Sequence, residues 1–490
     1  MSAPALAQAP LSFPQRDRMP ALAWLRERGM GASILVAAIT AAFGAVLVEA
    51  TSYIGRLLAS DPYIGDSETL AVVTAILTVL LTAVAMYVAA IVTANTFSTI
   101  VAGRTRRIAL MRLIGASARS QRAEVARQGL LIGVIGAVLG VVAGLVLTAA
   151  GLALADRLLP GAPEDASAGS ALVLLPAVGV ALTTWAAAYA GSRRVLTVTP
   201  LEAIGGSVDR SREEVASRPA RNTGALILLI LGIALLVFGV LVGLVSPLGV
   251  VIAFFGGILS FTGLAVGATF VMPPVLRLVG RFFGGGATAR LAAQNALRYP
   301  ERSSRMAIGV VMGITLVTMF AVALESSKAL MVAASGGVLD PQFEFVLDSF
   351  ATVMMVLVAI CAVIAAVGLV NLLTIGVVQR RRELGLLRAI GLSNRQVRQL
   401  VLLEALHVTV TATVTGLVLG VAYGWIAAQS LLGSVTIYDH VGPAGLVAPY
   451  VPWLPVTAIV VAAAVLTVVA AVAPTRLATR VAPVEALAAE

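Results

Sequence analysis

Few residues in this chain could do chemistry, and their types narrow what that chemistry can be. Glu404 and His407 lie one helical turn apart inside an apolar stretch. An ionisable pair there could bind to each other, sit at a membrane interface near Arg398, or touch a substrate. Asn371, in another apolar stretch, has the amide needed for an interhelical hydrogen bond or a substrate contact. His407 and His440 are the only histidines and Cys361 the only cysteine, so a metal centre, a disulfide framework and an iron–sulfur cluster all lack ligands. The run GGGATAR at 284–290 is Gly-rich but lacks the lysine of a phosphate-binding loop, and GxxxxGK[ST] occurs nowhere in the chain. No cofactor is therefore expected to bind directly.

What remains is a set of arginines and glycines at repeated spacing. Residues 104–128 laid over 380–404 at a constant offset of 276 pair Arg106, Arg107, Leu110, Arg112, Ile114, Gly115, Ser117 and Arg119 with Arg382, Glu383, Leu386, Arg388, Ile390, Gly391, Ser393 and Arg395. Only Arg107 against Glu383 differs. The same offset carries Gly140 and Gly144 onto Gly416 and Gly420, a small-xxx-small pair suited to close helix packing. A second echo, Pro200 to Ile204 against Pro483 to Leu487, ends each copy. In the second copy Glu383 opens a short helix with Leu384, Leu387 and Ile390 at three-residue steps, and Arg388 falls beside the negative end of its dipole. Gly391 suits the left-handed position after the helix, and Ser393 with Gln396 forms a capping box for the next. The pattern predicts a short amphipathic helix on the inner membrane surface, closed by a tight turn into a spanning helix, so that force on the first would tilt the second. Taken singly, either copy could be an interfacial helix anchored by arginines to anionic lipid. Two copies favour docking to a two-fold partner.

The elements that must position these residues are membrane helices. The chain has 490 residues, 59% hydrophobic and 12% charged, against about 45–50% and about 25% in soluble domains. Ten apolar runs are long enough to cross a bilayer, near 31–50, 70–94, 128–153, 171–190, 224–245, 249–273, 306–324, 350–376, 400–430 and 453–474. With the N-terminus in the cytoplasm and sides alternating, 31 of the 34 Lys and Arg residues fall inside, leaving out only Arg56, Arg157 and Lys328. Ten crossings with both termini cytoplasmic follow, and the net charge of +10 is a topology signal rather than a mark of nucleic-acid binding. Six crossings separate the repeated segments, so both face the cytoplasm and the repeat is parallel.

The expected fold is all-α and integral to the membrane: two four-helix halves around a central helix pair. The divisions are a cytoplasmic tail at 1–30, a first half at 31–204, a linker at 205–222, the central pair at 223–276, a cytoplasmic segment at 277–305 and a second half at 306–490. The external loops, the longest at 326–349 and 431–452, are too short for a folded ectodomain. Trp185, Trp425, Trp453 and Tyr450 lie near span ends as interface anchors.

These residues carry a resemblance. The segment RRRELGLLRAIGLSNRQV at 380–397, the stretch LAAQNALRYPERSSRMAIGV at 291–310 and the terminal motif at Pro483 to Leu487 are similar to the signature of FtsX-like permeases, the membrane subunits of type VII ABC transporters of the MacB, LolC and BceB kind. The resemblance implies that a dimer of cytoplasmic ATPase subunits, carrying ATP and Mg, docks on coupling helices at 104–115 and 380–391. The coupling residues are then Arg106, Arg112 and Gly115 in the first copy and Arg382, Glu383, Leu387, Arg388 and Gly391 in the second. It implies a non-catalytic, multi-pass permease of the inner or plasma membrane that exports or extracts an amphipathic lipid, peptide or antibiotic by mechanotransmission. The chain departs from the family in having Arg107 where the acidic residue stands, and in lacking the large extracytoplasmic domain of many relatives. A secondary transporter driven by an ion gradient stands as an alternative. So does a non-transporting permease that signals to a sensor kinase or cell-wall hydrolase, and the membrane unit could be one chain or a homodimer.

Overall fold

The computed structural model describes residues 30–59, 105–158, 171–193, 219–282, 286–298, 300–336, 391–435 and 445–480, with isolated positions between 76 and 94 and at 386 and 388. Every element among them is helical: α1 Met30–Ala59, α2 Thr105–Leu113, α3 Ala118–Leu158, α4 Leu174–Gly191, α5 Pro219–Gly243, α6 Gly249–Val266, α7 Ala268–Gly280, α8 Ala287–Arg298, α9 Pro300–Ala334, α10 Asn394–Leu432 and α11 Trp453–Arg480. A 3-10 turn, Ala171–Val173, leads into α4.

Among the described residues seven helical stretches are long and apolar enough to cross a membrane: Ser33–Ala50, Ala118–Ala153, Ala171–Gly191, Asn222–Gly243, Gly249–Val266, Ala307–Ala334 and Asn394–Leu432. The chain is a multi-pass membrane protein. Of the other expected crossings, 453–474 falls on α11, whose apolar stretch is the shorter Trp453–Val465. The run at 70–94 is described only at isolated, helical positions, and 350–376 lies outside the described residues.

The apolar run at 249–273, read from the sequence as one span, is divided. α6 ends at Gly267, whose N–H donates to the Gly263 carbonyl at 2.8 Å, and α7 starts at the next residue. Pro273 and Pro274 lie inside α7 and supply no N–H to the Thr269 and Phe270 carbonyls one turn earlier; the break itself falls at Gly267, ahead of both. α7 also continues to Gly280, past the boundary expected at 276.

Packing is by pairs: α1 along α3, α3 along α4, α5 along α6, and α9 along α10. A shared core joins them through Phe43 and Leu47 of α1, Phe261 of α6, Met272 and Leu276 of α7, Val311 and Ile314 of α9, and Val408 and Ala412 of α10. Some hydroxyls in the spans bond back one turn, as Thr40 to the Val36 carbonyl and Thr411 to the His407 carbonyl, each at 2.8 Å, and these need no partner from outside the helix in hydrocarbon. The reverse face of α3 exposes Val134, Val138, Val142 and Val146 at four-residue steps, an apolar stripe suited to lipid contact.

Candidate coupling surface

α2 buries Ile108 and Ala109 and shows its other large apolar residues. Ile108 and Ala109 pack with Met30 of α1, Val125 and Ile132 of α3 and Ala188 of α4. The short helix thus rests on three long ones, a seat made of protein. On its other side Leu110, Leu113 and Ile114 are 49%, 55% and 79% exposed. Arg112 is half-buried in the last turn, where a cation complements the helix dipole. Arg106 lies within α2.

The end of α2 is a hydrogen-bonded corner. Gly115 takes φ +100°, its N–H donates to the Arg112 carbonyl at 3.1 Å, and the Ala116 N–H donates to the Met111 carbonyl at 2.9 Å. This is the Schellman pattern, and it needs a residue that tolerates positive φ. Ser117 then caps α3, its Oγ accepting from the Ser120 N–H at 3.0 Å. Four residues, Ile114 to Ser117, separate the short helix from a 41-residue one. A push on α2 therefore has little chain in which to dissipate.

The second copy shows the same corner. Leu386 is 51% exposed, matching Leu110, and Arg388 is half-buried. Gly391 takes φ +111°, and its N–H donates to the Arg388 carbonyl at 3.1 Å. Ser393 and Gln396 make a full capping box: Gln396 N–H to Ser393 Oγ at 3.3 Å and Ser393 N–H to Gln396 Oε1 at 2.9 Å. Arg382, Glu383 and Leu387 lie outside the described residues, as does Asn371.

The glycines of each copy face the helix that opens the same half. A Cβ on Gly140 would stand 2.6 Å from the Ala41 Cβ and 2.9 Å from the Ala42 N, and one on Gly144 2.7 Å from the Ala45 Cβ. On α10, a Cβ on Gly416 would stand 2.9 Å from the Ile314 Cβ, and one on Gly420 2.9 Å from the Thr315 carbonyl. The glycines are 276 apart in sequence and the α1 and α9 positions they meet are 273 apart (41 to 314, 42 to 315), so the two helix pairs dock in one register.

Glu404 and His407 are each met by another element. Asn295 of α8 donates from Nδ2 to Glu404 Oε2 at 3.1 Å. His407, fully buried, donates from Nε2 to the Leu276 carbonyl of α7 at 2.7 Å. These contacts fasten α10 to the broken helix and to the segment before α9.

Three further residues do work that was not expected of them. Arg122 of α3 donates from Nε and Nη2 to the Tyr189 carbonyl in the last turn of α4, at 3.3 and 3.1 Å, with its Cζ 3.6 Å from the centre of the Tyr189 ring. At the other end of the molecule Gln429, fully buried, donates to the Gly445 carbonyl at 2.5 Å and accepts from the Val447 N–H at 3.2 Å. Trp425, expected as an interface anchor, donates from Nε1 to the Val447 carbonyl at 2.7 Å. The one available signal was that Arg122 and Arg398 also stand 276 apart; a lone glutamine in an apolar span carries none.

The family model for the FtsX-like permease C-terminal region matches twice, over residues 79–200 and 355–483. Together these segments cover just over half of the chain, and their starts are 276 residues apart, the spacing of the repeated arginine segment. The chain is also similar to the ABC transporter permease YtrF of Bacillus subtilis (strain 168), with 28% identity over 123 residues, which are 25% of this chain and 28% of that relative's length.

Proposed function

The chain belongs to the FtsX-like permease family, and from that premise we propose that it is the membrane subunit of an ABC transporter, driven through its two short cytoplasmic helices by a separate ATPase dimer. FtsX-like permease subunits are non-catalytic membrane components, so binding and hydrolysis of ATP with Mg belong to the partner. The proposed arrangement has ten crossings, both termini in the cytoplasm, and parallel halves at 31–204 and 306–490 around a central pair. The inward bias of Lys and Arg and the common spacing of the two matched segments support it.

The observation that carries the coupling role is the pair of glycine corners. Each lies between an exposed leucine, Leu110 or Leu386, and the start of a long spanning helix a few residues on. Closure of the ATPase dimer would push both short helices. α3 would carry α4 with it through Arg122 and α1 through the glycine seam. α10 would carry α9 through its own seam, and α7 and α8 through His407 and Asn295. The halves then shift against each other, opening and closing a membrane-exposed groove for an amphipathic substrate.

The test is co-purification with candidate ABC ATPases, followed by ATP hydrolysis by the complex, for the parent chain and for Arg112→Glu and Arg388→Glu. Charge reversal in either last turn opposes the helix dipole and is expected to lower both assembly and permease-dependent hydrolysis. Unchanged assembly and hydrolysis in both variants would remove the coupling role.

A further inference from the structure

A cavity of about 310 Å³ lies between α6, α9, α10 and the helical positions at 80–87. Along α9 its lining runs from Met312 to Met331 at three- and four-residue steps, about 28 Å at roughly 1.5 Å per residue, close to the ~30 Å of a bilayer's hydrocarbon. The facing wall includes Phe254 and Phe261 of α6. The tyrosines on the lining spend their hydroxyls elsewhere: Tyr87 on Thr262 at 2.7 Å and the Ile258 carbonyl at 3.2 Å, Tyr423 on Ser260 at 2.9 Å. What lines the cavity is otherwise mostly hydrocarbon, with Thr315 and Ser327 the other hydroxyl residues along α9. Among the described lining residues Lys328 is the one charged side chain, half-buried toward the end where Gln429 and Trp425 hold the segment at 445–447.

We propose that this cavity binds one acyl chain of an anionic amphiphile, the chain lying along α9 between Met312 and Leu324 and the headgroup meeting Lys328. The assignment deepens the permease reading, on which its role as a substrate site rests. A long apolar slot the depth of the membrane's interior suits an extended chain and offers a compact polar solute few partners. A lysine at one end can keep its stem along the wall and its ammonium at the headgroup level, where it favours an anion over a zwitterion. The walls also come from the first half at 80–87, the central pair and the second half, so a shift of one against another would alter the slot and could expel its occupant.

Gly257 provides the clean perturbation. It lines the cavity, and a Cβ there meets nothing within 4 Å, so Gly257→Phe puts a ring into the slot without disturbing helix packing. The full chain, in nanodiscs and without ATPase or nucleotide, is irradiated with phosphatidylglycerol, phosphatidylcholine or stearate carrying a diazirine near the chain end, and the labelled peptides are mapped. Labelling of 312–324 and 254–261 by the anionic probes is expected to exceed that by phosphatidylcholine by about fivefold, the factor for one lysine near an anionic headgroup. Gly257→Phe should lose this deep labelling while lipid-facing positions of α5 keep theirs. Lys328→Gln should keep deep labelling and lose the anionic preference. Stronger labelling by phosphatidylglycerol or by stearate identifies the source of the chain as a bilayer lipid or a free fatty acid, and either supports the site. Deep labelling that persists in Gly257→Phe, or that is equal for all three probes, overturns it. Because no ATPase is present, this failure leaves the coupling role standing, and loss of coupling leaves this site standing.

Discussion

Substituting Gly115 and Gly391 by alanine isolates the geometry of the two corners from everything around them. A Cβ at either position meets nothing within 4 Å, so no clash contributes and the whole effect is conformational. At φ +100° and +111° an L-residue pays the left-handed penalty of about 1–2 kcal/mol, which corresponds to a factor of about 5–30 in the population holding the corner. If the ATPase binds only the closed corner, each single variant should weaken assembly by up to that factor. The double variant should approach the product of the two, since the sites share no partners. The assay is titration of the permease in nanodiscs with its ATPase, read as bound fraction and as hydrolysis rate. Gly151→Ala is the control: its Cβ is equally unobstructed, it lies within α3, and there the substitution should be neutral or stabilising by about 0.4–1 kcal/mol. If Gly115→Ala and Gly391→Ala bind like Gly151→Ala, rigid corners are not what transmits force.

Other outcomes follow from the same contacts. Gly140→Leu and Gly416→Leu force a side chain against α1 and α9 and should each cost about 1–3 kcal/mol of overpacking, read as a lower thermal midpoint in detergent than Gly151→Ala. Arg122→Met removes two hydrogen bonds and a cation–π contact worth about 0.5–1 kcal/mol at an exposed site. Faster hydrogen exchange at 189–193 should report it, with α1 and α3 unchanged. Gln429→Leu leaves the Gly445 carbonyl and the Val447 N–H without their side-chain partner, at about 1–3 kcal/mol per buried group. Limited proteolysis should then cut at 445–452 sooner than in the parent chain.

Two kinds of feature were legible in the sequence. The spans follow from the transfer of each stretch out of water, a property of the stretch alone, and seven of the ten apolar runs contain a helical stretch that meets the length and polarity of a crossing. The corners follow from neighbours along the chain: Gly391, Ser393 and Gln396 carry their own backbone preference and hydrogen-bonding reach, and the structure has the positive φ and the capping box. Arg112 and Arg388 needed only a helix end nearby.

What only the tertiary structure decided is who meets whom between helices. Nothing within residues 404–407 says that Asn295 and the Leu276 carbonyl stand opposite, because that depends on how α10 is rotated and on where α7 breaks away from α6. Gln429 and Trp425 look like any polar or aromatic residue at the end of a span until the returning segment at 445–447 presents its backbone to them. The cavity beside Lys328 belongs to no single helix, being space that α6, α9 and α10 leave between them. An apolar residue bound for lipid and one bound for the core have the same composition, so the chain declares which stretches enter the membrane, while the mutual rotation of the helices determines which faces touch.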